Sequence, residues 1–152
     1  MQKILMSACL LGAKVRYDGG DCAQDNSLIQ KWLAEGRIIT LCPETAGGLP
    51  TPRPPAEIIE EKVMTNTGID VTTEFHKGAE LALTICQKHQ IKFALLKARS
   101  PSCGNIQIYD GTFSRTLIEG QGITAALLTA HRVKVFNETQ LQELAKNLAH
   151  YY

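Results

Sequence analysis

Lys3-Ile4-Leu5-Met6-Ser7-Ala8-Cys9 is a short apolar run that stops at a cysteine, and the fold follows from what this run is. An apolar run this short, bounded by turn residues, suits a strand buried on both faces. The pattern recurs: Arg37–Leu41 runs into Cys42, Lys92–Lys97 stops shortly before Cys103, and Arg132–Phe136 is a fourth run. Helical patterns lie between them, with Leu28, Ile29, Trp32 and Leu33 sharing one face, then Phe75, Ala79, Ala82, Leu83 and Cys86, then Leu141, Leu144, Ala145 and Leu148. Strand and helix alternate, which predicts a single-domain, Rossmann-like α/β fold, a mainly parallel sheet with helices on both faces. Ile106–Ile108 and Phe113–Ile118 flank Asp110-Gly111 and read as a small hairpin insertion. Pro43–Pro55 holds all but one of the prolines, together with Gly47-Gly48, and reads as an irregular, stiff loop rather than an element. Asn137-Glu138-Thr139-Gln140 resembles a capping box opening the last helix.

At 152 residues the chain is expected to be one domain over residues 1–152. Lys plus Arg is 16 against 15 for Asp plus Glu, so there is no global field to drive duplex backbone binding. Hydrophobic residues at 44% and charged residues at 20% exclude disordered, collagenous and disulfide-scaffold classes. The apolar stretches near Ile4–Met6 and Ala125–Leu128 fall far short of the roughly 20 residues that span a bilayer, so no membrane crossing is expected. Five cysteines, an odd number with no secretory leader ahead of them, argue against a disulfide framework and for a cytoplasmic setting.

An open parallel sheet binds ligands beyond the carboxyl ends of its strands. Cys9, Cys42 and Cys103 each follow a predicted strand, too far apart in sequence for a local loop, so only the fold can bring them together. Three thiolates suit zinc or an iron–sulfur cluster, and a site with three protein ligands leaves a position open for substrate. Cys86 lies on an apolar helix face and reads as a core thiol, and Cys22, beside Asp21, as a loop cysteine. Glu44, two residues after Cys42, is a candidate general acid or base, or else a loop carboxylate paired to Arg53. Ser100 and Ser102 can hydrogen-bond a substrate or form the turn around Pro101. Gly120-Gln121-Gly122 precedes a helix whose free amides could hold an anion or the edge of a heterocycle. Arg16-Tyr17-Asp18-Gly19 reads as a turn near the crevice, and His76, His89, His131 and His150 as solvated helix residues.

The strings Ser-Ala-Cys-Leu-Leu-Gly (7–12), Arg-Tyr-Asp-Gly (16–19), Cys-Pro-Glu-Thr-Ala-Gly-Gly-Leu-Pro-Thr-Pro-Arg (42–53), Ser-Pro-Ser-Cys-Gly (100–104), Tyr-Asp-Gly-Thr-Phe (109–113) and Gly-Gln-Gly-Ile-Thr-Ala-Ala-Leu-Leu (120–128) together resemble the TudS-type thiouracil desulfidases, over nearly the whole chain. The resemblance implies a [4Fe-4S] cluster held by Cys9, Cys42 and Cys103, with its fourth iron open to the sulfur of a small-molecule thiolated nucleobase. It further implies non-redox desulfuration of a 2-thiouracil-like pyrimidine to uracil and hydrogen sulfide, with Glu44 moving protons and Ser100 orienting substrate or water. Many members carry a further Cys just before the Arg-Tyr-Asp-Gly block, where this chain has Val15, so that position is no ligand here. Three other functions compete: a sulfurtransferase with Cys103 as lone nucleophile, a non-catalytic metal-binding module, and a desulfidase for 4-thiouridine in transfer RNA. Near-neutral charge weighs against nucleic acid, although Lys97, Arg99 and Arg115 make a local basic patch. The assembly expected is a monomer or small homo-oligomer.

Overall fold

The structure is a computed structural model and describes residues 2–13, 17–20, 23 and 26–150. In chain order the elements are β1 (Ile4–Ser7), a 3-10 turn (Ala8–Leu11), α1 (Ser27–Ala34), β2 (Ile38–Leu41), α2 (Pro43–Ala46), β3 (Ala56–Ile59), β4 (Lys62–Thr65), α3 (Thr72–Lys88), β5 (Phe93–Leu96), β6 (Gln107–Tyr109), β7 (Leu117–Glu119), α4 (Ile123–Ala130), β8 (Lys134–Asn137) and α5 (Leu141–Ala149).

The four apolar runs are the four strands of one parallel sheet, ordered β2-β1-β5-β8. Ile4 lies opposite Ile38 on one side and Phe93 on the other, and Phe93 in turn opposite Lys134. Because side chains alternate across a strand, each strand feeds two cores. Ile4, Met6, Phe93 and Leu95 pack with Ile29 and Trp32 of α1 and with Leu141, Leu144 and Leu148 of α5. Leu5, Ala94 and Leu96 face the other way, onto Ala82 and Cys86 of α3 and Ala125 and Leu128 of α4. The helices therefore cover both faces, as the sequence pattern predicts.

Three local expectations are corrected. The segment beginning at Pro43 opens as a helical turn before it becomes irregular. Proline presets φ for the first helical position, and the Ala46 and Gly47 amides close onto the Cys42 and Pro43 carbonyls at 2.9 Å each. The β6–β7 hairpin is shorter than the sequence suggests and is joined by a loop over residues 110–116, not by a tight Asp-Gly turn. Asp110 Oδ1 instead accepts from the Thr112 amide at 3.0 Å and its hydroxyl at 2.6 Å, which bends the chain into a wider loop. The box at Asn137 is present but sits ahead of α5. Asn137 Oδ1 accepts from the Thr139 amide at 2.8 Å and Gln140 Oε1 accepts from the Asn137 amide at 3.1 Å. The β3–β4 hairpin is an element that periodicity missed.

Candidate active site

β1 pairs with β2 on one side and β5 on the other, so the connections leaving β1 and β5 diverge at their carboxyl ends and open a crevice. A cavity of about 540 Å³ lies there, within the range of small-molecule sites. Cys9, Cys42, Glu44, Ser100 and Cys103 all line it, so the structure brings together the five candidate residues. Arg53, Lys97, Arg99 and Arg115 line it too, with Tyr17, Tyr109 and Phe113. Cys22, Val15 and Arg16 lie outside the described residues.

Cys9 sits in the 3-10 turn directly after β1, which Gly12 ends in the left-handed region at φ 95. Cys42 is the extended residue that caps α2, with its carbonyl accepting from the Thr45 hydroxyl at 3.2 Å. The backbone of α2 lies flush against α3. A Cβ on Gly78 would come 2.7 Å from the Pro43 carbonyl carbon, and one on Gly47 3.0 Å from that of Glu74. That close approach is why glycine occupies both positions.

The Cys103 loop is held differently. Ser100 Oγ accepts from the amides of Cys103 at 2.6 Å and Ser102 at 3.2 Å. With its lone pairs so occupied, the hydroxyl of Ser100 retains one proton to donate. The amides of Ile123, Thr124 and Ala125 at the start of α4 donate to the carbonyls of Pro101 and Ser102 at 2.8–3.1 Å, and the Gly122 amide donates to that of Gly104 at 2.7 Å. This corrects the expectation of a ligand at Gly120–Gly122, because the helix terminus spends its amides on the cysteine loop. Fully buried Ser102 and Thr124 share a hydroxyl hydrogen bond of 2.7 Å.

Ser7, missed in the sequence because it sits inside an apolar run, bridges β1 and β5 where they separate. Its oxygen accepts from the Lys97 amide at 3.0 Å, which aims its proton at Cys103 Sγ, 3.6 Å away. Glu138 is the other residue missed. Its carboxylate accepts from the Ala98 amide at 2.7 Å and pairs with Lys97 Nζ at 2.8 Å, so the ammonium at the cavity wall is already neutralised.

Burial pushes the Cys103 thiol up to about 12. The Ser7 hydrogen bond opposes this, the charges of Glu44 and Cys42 add to it, and Ser102 opposes it weakly. Such a thiol is no activated nucleophile, which disfavours the lone-nucleophile alternative. Burial also raises Glu44 above the ordinary carboxylate range, against the pull of Arg53. Arg53 meets Glu44 Oε1 through Nε and a terminal nitrogen, at 3.3 Å each, while donating to Pro50 O and Thr51 Oγ1 at 3.0 Å. Glu44 is thus paired to Arg53 and at the same time lines the cavity. Cys86 is a core thiol, raised by burial to about 11, and the four histidines are exposed on or at the ends of helices.

Among the described residues, no three His, Cys, Asp or Glu side chains converge on a point that would hold one metal ion. A zinc ion needs its ligands within about 2.3 Å of a single centre. Three thiols are, as thiolates, a soft donor set of the kind that holds iron–sulfur clusters, so the cysteines lining the cavity fit such a group.

The molecule is thus an open parallel α/β protein whose crevice at the divergent strand ends is walled by three cysteines and a carboxylate. The family model for 2-thiouracil desulfurase matches residues 4–140. The uncharacterized protein YbbK of Bacillus subtilis (strain 168) is 39% identical over 151 residues, 93% of this chain and 99% of that one. The solved structure of the [4Fe-4S]-dependent thiouracil desulfidase TudS superposes with a TM-score of 0.97 at 53% identity, covering 98% of this chain and 99% of that one. The chain belongs to the 2-thiouracil desulfurase family.

Proposed function

We propose that residues 1–152 form one desulfidase domain that hydrolyses the carbon–sulfur bond of thiolated pyrimidines of the 2-thiouracil type. A thiocarbonyl and water give a carbonyl and hydrogen sulfide, with no net change of oxidation state. The observation that carries this is the meeting of Cys9, Cys42, Cys103 and Glu44 on one cavity. Cys9, Cys42 and Cys103 would hold a [4Fe-4S] cluster, a reading supported by the similar TudS, which is named as [4Fe-4S]-dependent. When bound, that cluster supplies a Lewis-acidic iron for the thiocarbonyl sulfur.

The chain's own residues do the rest. Glu44, whose carboxylate Arg53 grips, takes a proton from the attacking water and returns it to the departing sulfur. Ser100, with its oxygen committed to the loop amides, donates its proton to substrate or water. Ser7 fixes the rotamer of Cys103 through the hydrogen bond to its sulfur. Tyr109 and Phe113 give the cavity an aromatic wall. No helix among the described residues is long and apolar enough to cross a membrane. The substrate is a small thiolated base met in the cytoplasm, where thiols stay reduced, and the working form is a monomer or small homo-oligomer.

Iron and acid-labile sulfide, measured after anaerobic reconstitution, should reach about four of each per chain and be lost in Cys103→Ala. Sulfide release from 2-thiouracil should then be present in the wild type and fall about 100-fold or more in Glu44→Gln with the cluster retained. Zinc or no metal in the reconstituted wild type, or an active Glu44→Gln, would overturn the respective parts. Thiolated transfer RNA as a competing substrate, assayed across salt concentrations, separates the free-base reading from an RNA one.

A further inference from the structure

Two hairpins stand outside the main sheet, yet both wall the cavity: β3–β4 supplies Glu57, and the β6–β7 loop supplies Phe113 and Arg115. Glu57 is charged but only 9% exposed. Its Oε1 accepts from the amides of Gly111 at 3.0 Å and Phe113 at 3.2 Å, more than fifty residues along the chain. Gly111 lies so close to β3 that a Cβ there would stand 2.8 Å from the Ile58 carbonyl oxygen. Glycine contact and carboxylate together pin the loop to β3.

Phe113 itself has φ 58, a left-handed conformation that is a true outlier for a bulky side chain. Arg99 and Arg115, at φ 69 and 61, share both that conformation and the cavity wall. Backbone strain of this kind persists only where the surroundings over-determine it, and it gathers at ligand clamps. Here the over-determining group is Glu57, whose hydrogen bond to the Phe113 amide holds the ring on the wall.

We infer that Phe113 is a specificity-determining residue that offers its ring face to the pyrimidine plane, and that Glu57 is its positioning residue, an assignment that rests on the desulfidase reading above. A π-face selects flat heterocycles without reading their substituents, so it should discriminate against a puckered ring while tolerating sulfur at different positions.

The probes are 2-thiouracil, its 5,6-dihydro analogue and uracil. In reconstituted enzyme, Phe113→Ala should raise KM for 2-thiouracil and weaken equilibrium binding of uracil by about tenfold, with kcat little changed. The preference for 2-thiouracil over the dihydro analogue should shrink with it. Glu57→Ala should move KM in the same direction, and Glu57→Gln should recover most of the loss, because the amide oxygen accepts the same two bonds. Adding Glu57→Ala to Phe113→Ala should cost little more, since both act through one ring. Unchanged KM, uracil binding and ring preference in Phe113→Ala overturn the role of Phe113. Additive losses, or no rescue by Gln, overturn the role of Glu57. Wild-type enzyme that binds uracil but releases no sulfide would instead fail the desulfidase reading, leaving the uracil measurements to judge Phe113 on their own.

Discussion

Cys103 and Cys42 reach the same cavity on supports of different kinds. The Cys103 loop is stitched into the protein by independent hydrogen bonds: three amides at the start of α4, two onto Ser100 Oγ, and the buried Ser102–Thr124 hydroxyl pair. The Cys42–Glu44 turn closes mainly on its own amides and meets α3 by direct backbone contact through Gly47 and Gly78. A network of separate bonds, each worth about 1 kcal/mol, should yield gradually. A close-packed backbone contact has no slack, so a single methyl group should disrupt it.

Gly78→Ala tests the packed support and carries the largest expected effect. Alanine in a helix is better than glycine by about 1 kcal/mol, which alone would stabilise α3. The new Cβ, however, would overlap the Pro43 carbonyl, and overpacking typically costs about 1–3 kcal/mol. Overlap this deep should exceed the propensity gain and push α2 away with Cys42 and Glu44. A shift of about 1 Å at a catalytic group can cost about 100-fold, so turnover should fall at least that far and iron per chain should drop. Wild-type turnover and iron in Gly78→Ala would show the contact to be slack.

Thr124→Val tests the stitched support and should do less. Valine matches threonine in shape but deprives the fully buried Ser102 hydroxyl of its 2.7 Å partner. Losing one hydrogen bond there costs about 1 kcal/mol, a Tm loss of about 2–4 °C in a chain of this size. The other bonds of the loop remain, so iron content and kcat should stay within about twofold of wild type. Loss of the cluster in Thr124→Val would mean that the loop is not redundantly held.

The same contrast explains how much was legible beforehand. The parallel sheet and its helices were readable because buried strands are continuous apolar runs and the helices carry a regular apolar face. That the five candidate residues meet on one cavity was readable because the strand ends of such a sheet converge. The β3–β4 hairpin was not, since the one buried residue of β3 is the carboxylate Glu57, whose partners Gly111 and Phe113 lie in another hairpin. The role of Ser7 was not legible because it depends on β5 lying beside β1, which only the topology settles. The α4 terminus looked free because its partners, Pro101 and Ser102, precede it by a whole hairpin.

Cys86→Ala should have the smallest effect, and it separates the thiols that work from the one that packs. Cys86 is 2% exposed, on α3, among Ala82, Leu96, Ala125 and Leu128, and is absent from the cavity wall. Removing its sulfur leaves a void smaller than a methylene chain would, costing about 1 kcal/mol and a few degrees of Tm. Burial holds this thiol near 11, so at neutral pH it is protonated, and iodoacetamide should spare it in the native protein. Iron, sulfide and turnover in Cys86→Ala should match wild type. A drop in iron would place a fourth thiol among the ligands, close the open coordination position that desulfuration needs, and bring down the three-cysteine site with it.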